Sequence, residues 1–313
     1  MMTPRPRFSL DRRARKRVVL AAVLVLFISA IVIRAVTASP RRVKAYLRDD
    51  RLVVLAHQGA SGHAPSNTLE SFALGLKQGA DILELDVHLT KDGQVVASHD
   101  ASIDRMSNGK GAIKSMTLAE LRQYDFGYGF SPDGGKTFPY RGKALTIPTL
   151  EDVFKTFPEV RVNIEIKQID PPMEEQVLEV VRRYHMEDKI LINSFPSEPT
   201  ARWQRLTGER VAIGADRSDM FKFAAYWLPH LDWLYAPTRD AFQIPVSQKL
   251  GPVTIRLDSP RLISRAHKLG IKVHYWTVND EAAMRSLIKL GADGIITDYP
   301  DRAVKVLKEM GLR

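Results

Sequence analysis

Six residues of this 313-residue chain combine types and spacing suited to catalysis: His57, Glu84, Asp86, His99, Glu165 and Lys167. Glu84 and Asp86 lie in "ILELDVHL", where apolar and polar residues alternate. A strand sends successive side chains to opposite faces, so Glu84, Asp86 and His88 share one face, and Leu83, Leu85, Val87 and Leu89 the other. The same parity recurs in "RVNIEIK", with Val162, Ile164 and Ile166 on one side and Asn163, Glu165 and Lys167 on the other. Three carboxylates converging with one ammonium would raise carboxyl pKa values and destabilise the fold unless compensated. A hard divalent cation with oxygen ligands resolves the conflict; the alternative is neutralisation by Lys167 and arginine side chains. His57 closes "LVVLAH" and His99 closes the hairpin "GQVVASHD", each where strand gives way to a Gly- or Asp-containing turn. Imidazoles titrate near neutral pH, so two of them beside a carboxylate-held cation suit paired acid and base work. His63, His185, His230 and His267 read as surface residues. His88 shares the acids' face and is expected at most to support them. No short-spaced histidine pair points to zinc.

Such groups need strands that converge. From Leu52 onward the candidates are "LVVLAH", "DILELDVHLT", "RVNIEIK", "KILINSF", "RVAIGAD", "DWLYAPT", "IKVHYWTV" and "DGIITD". They alternate with helical patterns such as "SNTLESFALGLKQG" and "DEAAMRSLIKLG", which predicts an α/β fold with a parallel sheet and crossover helices. Eight strands at this spacing fit a closed (β/α)8 TIM barrel, typically ~250 residues long. An open doubly wound sheet would be expected to carry a Gly-rich turn after its first strand, and none follows here. The acids then face the barrel interior and His57 and His99 sit on its C-terminal rim. The stretch 101–145 breaks the rhythm and reads as an insertion after the second strand. Its Met106, Met116, Tyr124, Phe126, Tyr128, Phe130, Phe138 and Tyr140 either pack it together or line a groove for an acyl chain.

The net charge of +10 is local: eight basic residues and one acid precede Ser39, which leaves +3 for the rest. With no basic stripe on the body, nucleic-acid binding is excluded. The absence of cysteine excludes disulfides, thiolate metal sites and a cysteine nucleophile. Residues 1–17 read as a basic cytoplasmic leader and 18–38 as a single transmembrane helix. The basic side predicts a cytoplasmic N-terminus and an exported barrel over 50–313, periplasmic or extracellular. "VTAS" offers the alternative of a signal cleaved near Ala38 and secretion. No oligomeric state follows from the sequence.

The motifs "LAHQGASGHAPSNTLESF", "GADILELDVHLTKDGQVVASHD", "VNIEIK", "WTVND" and "GADGIITDYP" run in order through nearly the whole body. Together they closely resemble the glycerophosphodiester phosphodiesterases, within the phosphatidylinositol-phosphodiesterase-like TIM barrels. The resemblance implies metal-dependent hydrolysis of glycerophosphodiesters to glycerol 3-phosphate and an alcohol. It places the family's metal ligands on Glu84, Asp86 and Glu165, with calcium or magnesium as the metal, and its catalytic pair on His57 and His99. Substrate contacts fall on Lys167, Gln58 and Trp276, and Asn67 matches the Asn of the family's "ENT" turn. Two positions depart: Gln58 stands where an arginine usually contacts the phosphate, and Ser66 where a glutamate usually precedes the Asn. Losing the arginine removes a bidentate clamp that lysine does not reproduce. Lysophospholipid hydrolysis of the lysophospholipase D type is one alternative function. A membrane-tethered barrel that binds phospholipid headgroups without catalysis is the other.

Overall fold

The computed structural model describes residues 11–37 and 39–313, so Arg5 and Arg7 of the leader and the cleavage alternative at Ala38 lie outside the described residues. The chain divides into two compact units, Met1–Ser39 with Phe223–Ala236, and Pro40–Lys222 with Pro237–Arg313. In the first, a helix spans Arg12–Thr37, and its Arg12–Ile33 part is long and apolar enough to cross a membrane. Phe223, Trp227 and Tyr235 form an aromatic cluster there, with ring centroids 5.3 to 6.4 Å apart.

The second unit is the barrel. Its strands are β1 (Val53–His57), β2 (Ile82–Leu89), a short β3 (Val95–Ala97) antiparallel to β2, β4 (Arg161–Ile166), β5 (Ile190–Asn193) and β6 (Ala212–Ile213). They continue with β7 (Ala241–Ile244), an antiparallel hairpin of β8 (Ser247–Leu250) and β9 (Val253–Arg256), β10 (Lys272–Tyr275) and β11 (Gly294–Thr297). The parallel order is β6-β5-β4-β2-β1-β11-β10-β7. A bridge between Gly214 and Ala241, with the Ala215 N–H donating to the Ala241 carbonyl at 2.8 Å, closes the ring. The expected eight-stranded barrel is therefore present.

Alternation decides which way each side chain points. Leu83, Leu85, Val87, Val162, Ile164 and Ile166 are fully buried against Phe72, Phe154, Val177 and Trp203 on the helix side. Each such side chain stabilises the fold by about 1.5–3 kcal/mol. The opposite parity turns Glu84, Asp86 and Glu165 inward.

One strand expectation fails. "DWLYAPT" holds a single 3-10 turn at Asp232–Leu234, and the sixth strand of the barrel is the later "AFQI" of β7. Short apolar runs do not distinguish strand from other buried segments, and here Tyr235 belongs to the aromatic cluster. The hairpin Ser247–Arg256 was not legible either, because Val253 and its neighbours are exposed and carry no two-faced pattern.

The insertion has a small core of its own, built on Val96, Ile103, Ile113, Leu121, Phe126 and Ile147, with Met106, Met116 and Tyr124 packed against it. At the other end of the barrel, Pro40–Leu47 forms a strap. Tyr46 and Leu47 pack with Val53, Ile82, Leu191, Ala212 and Ala241 at the N-terminal ends of the strands. Arg41 donates to Asp240 at 2.8 and 3.0 Å, and Lys44 donates to the Val211 carbonyl at 2.9 Å. Gly270, at φ +73°, lies directly under the strap: a Cβ there would come within 2.4 Å of the Arg41 carbonyl oxygen.

Candidate active site

Register assembles the acids. β2 pairs with β4 so that Asp86 stands opposite Glu165, while β1 sets His57 opposite Glu84. Glu84, Asp86 and Glu165 each offer an oxygen within 4.8 Å of the others. Lys167 bridges two of them, with Nζ 3.0 Å from Asp86 Oδ1 and 2.9 Å from Glu165 Oε1.

The loop after β1 fixes the other two contacts. Gln58 adopts φ +53°, and its backbone N–H donates to Glu84 Oε2 at 2.9 Å. Gly59, at φ +84°, presses against the helix Leu69–Lys77, where a Cβ would meet Ser71 Oγ at 2.4 Å. Asn67, also left-handed, donates to Asp86 Oδ2 at 3.0 Å and accepts from the Asp86 N–H at 3.2 Å.

These partners do not neutralise the cluster. Burial and the charge of Asp86 push the Glu84 carboxyl up to about 8, against the His57 charge and the Gln58 N–H. Glu165 is raised by burial and by Asp86 although Lys167 opposes the shift. Burial would lower Lys167, but Asp86 and Glu165 hold it well above its ordinary value. Two buried acids and the half-buried Glu165, facing one ammonium with oxygen donors only, fit a hard divalent cation. The alternative of neutralisation by arginine finds no arginine on these three carboxylates among the described contacts.

Both histidines sit on the same rim, each backed by a carboxylate. His57 Nδ1 donates to Asp298 Oδ1 at 2.6 Å, and His99 Nδ1 to Asp100 Oδ1 at 2.8 Å. Burial alone would lower His57, but the Asp298 hydrogen bond and the charges of Glu84, Asp298 and Asp86 push it up to about 9. Glu165 remains raised although His99, like Lys167, opposes the shift. The Gln58 side-chain amide nitrogen lies 3.5 Å from His57 Nε2. The insertion meets this rim at two points: Ser66 Oγ contacts Met106 Sδ at 3.6 Å, and Arg105 donates to Asp100 at 2.6 Å.

Trp276 is partly buried against the interior cluster and donates through its indole N–H to the Gln243 carbonyl at 2.8 Å. His88 is buried, its Nε2 3.3 Å from the His99 carbonyl, and burial lowers its pKa. His274 is buried next to Gln243, where desolvation lowers it to about 4. His63, His185, His230 and His267 are not buried.

Asp100, Arg105, Asn279 and Asp298 are not singled out by the sequence. Asp100 could have been found from its place beside His99. Asp298 needed the knowledge that β11 closes against β1, through Ala56 and Thr297.

Comparison with known proteins agrees with the family resemblance and with the barrel. A family model described as the glycerophosphoryl diester phosphodiesterase family matches residues 57–302. A glycerophosphodiester phosphodiesterase of Caldanaerobacter subterraneus subsp. tengcongensis is 33% identical over 266 residues, which is 83% of this chain and 100% of that protein. A lysophospholipase D of Rattus norvegicus is 27% identical over 82% of this chain and 86% of its own. Among solved structures, an Oleispira antarctica phosphodiesterase in complex with the product sn-glycerol-3-phosphate superposes with a TM-score of 0.65 at 26% identity, covering 82% of this chain and 96% of that one.

Proposed function

The chain belongs to the glycerophosphoryl diester phosphodiesterase family, and from that premise we propose that it hydrolyses glycerophosphodiesters to glycerol 3-phosphate and an alcohol. The observation that carries this reading is the meeting, on one rim, of three oxygen-donor carboxylates and two carboxylate-backed imidazoles. Glu84, Asp86 and Glu165 would hold a divalent cation, calcium or magnesium, which when bound supplies charge stabilisation to phosphate oxygens. Lys167, already beside Asp86 and Glu165, offers an ammonium to the phosphate. Gln58 offers one side-chain amide group beside His57, where an arginine would present the two parallel N–H donors of a bidentate fork. One imidazole takes the proton of the attacking hydroxyl or water, and the other returns a proton to the leaving alkoxide oxygen. Trp276, directly after β10, would contact the substrate. The reading of a headgroup-binding barrel without catalysis is set aside, since both histidines and all three acids stand in one site of an enzyme family.

The test is release of glycerol 3-phosphate from glycerophosphocholine and glycerophosphoethanolamine by the full chain in detergent. It is repeated in EDTA and after calcium or magnesium is restored. No release with any headgroup would reject the activity, and a full rate in EDTA would reject the metal.

A second reading, lysophospholipid hydrolysis, is favoured by the resemblance to the rat lysophospholipase D and by Tyr128, 40% exposed beside Arg141. Against it, Phe126 and Phe130 are buried within the insertion. An acyl-length series from glycerophosphocholine to short lysophosphatidylcholines, below their micelle threshold, separates the two. Burial of ~0.8 kcal/mol per methylene predicts a rising catalytic efficiency for an acyl groove, and packing predicts a flat one. We also assign the N-terminus to the cytoplasm and the barrel to the exported side; protease accessibility of the barrel in intact cells tests this.

A further inference from the structure

We infer that Asp298 is the positioning residue for His57, and that Asn279 and Ser61 exist in this site to hold its carboxylate. The inference rests on the assignment of His57 to proton transfer. Asp298 directly follows β11, which pairs with β1, and its two oxygens have separate duties. Oδ1 accepts from His57 Nδ1 at 2.6 Å and from Ser61 Oγ at 2.7 Å, while Oδ2 accepts from Asn279 Nδ2 at 2.6 Å. Asn279 is fixed in turn, because its Oδ1 accepts the Asp298 N–H at 2.9 Å and Thr297 Oγ1 at 3.0 Å. The carboxylate therefore cannot rotate away from the ring without breaking three bonds.

A carboxylate only accepts, so it selects the histidine form that carries hydrogen on Nδ1. That leaves Nε2, the nitrogen beside the Gln58 amide, as the atom that exchanges a proton with substrate. Asp298 makes no described ion pair with lysine or arginine, so its charge is directed at the imidazole. His99 is held differently. Its partner Asp100 is shared with Arg105, which donates at 2.6 Å, and His99 is the more exposed of the two rings. The two imidazoles are thus not equivalent, and the difference lies in what stands behind each.

Asp298 also has a backbone role, since its carbonyl accepts the Gly62 N–H at 3.0 Å. The experiment must separate the two, and Asp298→Asn keeps the backbone and the volume while allowing the ring the wrong tautomer. Turnover of glycerophosphocholine is measured for Asp298→Asn, His57→Ala and the double variant, all in the full chain. The expected result is a loss of ~10²–10⁴-fold in kcat for Asp298→Asn with KM little changed, and less than about threefold further loss when it is added to His57→Ala. Equal losses in both backgrounds, or a single variant with more than half the normal kcat, would overturn the inference. Normal turnover in His57→Ala would instead reject the parent assignment. Nitrogen-15 NMR of labelled histidine supplies a readout independent of activity. Asp298→Asn should move the His57 Nδ1 resonance and leave His99 in place. An unchanged His57 resonance overturns the inference even where double-variant turnover falls below detection. Asn279→Ala should produce the same changes in weaker form.

Discussion

Lys167→Met tests the charge balance of the acid cluster. The ammonium lies 3.0 and 2.9 Å from two carboxylates, and its side chain is 22% exposed. Removing one partner of a largely buried ion pair costs ~3–5 kcal/mol when the remaining charge is left uncompensated. Here a proton can substitute, because Glu84 is already raised to about 8 and burial and Asp86 raise Glu165 as well. The folded variant then holds one proton more than the folded wild type, while the carboxyl groups of both unfolded chains are ionised above about pH 5. Stability rises with pH only where the unfolded state holds more protons, so this variant loses stability as pH rises. The slope is ~1.4 kcal/mol per pH unit, or ~2.7 kcal/mol between pH 6 and 8. We expect a deficit of ~1–2 kcal/mol at pH 6 and ~3–5 kcal/mol at pH 8, about 2–4 °C of Tm for each kcal/mol. The assay is thermal unfolding by tryptophan fluorescence in EDTA, at both pH values, for wild type and variant. Calcium or magnesium should narrow the gap at pH 8. A deficit independent of pH and untouched by metal would refute the reasoning and make Lys167 an ordinary packing residue.

The wild-type site titrates in the same sense. With Glu84 raised to about 8 in the metal-free protein, its contribution to stability should fall as pH climbs from about 4.5 towards 8. Added calcium should raise Tm more at pH 8 than at pH 6, and calorimetry in buffers of different ionisation enthalpy should show proton release on binding. His57→Ala and His99→Ala should each lower kcat by at least ~10²-fold with little change in Tm, so a folded His99→Ala protein of near-normal turnover would contradict the acid–base roles. Asn67→Ala, which strips Asp86 of both amide bonds, should weaken metal binding by ~10–100-fold in calorimetry.

Strand parity was legible because it depends on a single segment. "ILELDVHL" and "RVNIEIK" announce two faces whatever they pair with. Register was not, and it is register that puts Asp86 opposite Glu165. The link from His57 to Asp298 spans 241 positions and exists only because the last strand closes on the first. A local pattern carries no trace of that closure. The sixth barrel strand is misplaced in the sequence because "DWLYAPT" has four apolar residues, whereas "AFQI" turns a buried Gln243 to the interior. The aromatics of the insertion were visible, yet their partners Ile103, Ile113 and Ile147 are spread over more than forty positions, so packing and groove could not be told apart.

The strap Pro40–Leu47 bears on shedding. Its bonds run from Arg41 and Lys44 to Asp240 and Val211, and Tyr46 belongs to the packed base of the barrel. A protease or signal peptidase that cut at or before Ser39 would discard the apolar helix and spare every one of these contacts. The freed and the tethered forms should then turn over substrate alike. A cut after Leu47 would remove the base of the barrel while leaving both histidines and all three acids in the chain. Such a fragment should melt at lower temperature, as should Gly270→Ala, which would push the strap off its seat. We propose Pro40 as the start of a preparation without the apolar helix, because the strap's contacts begin there, whereas the sequence places the start of the barrel at 50.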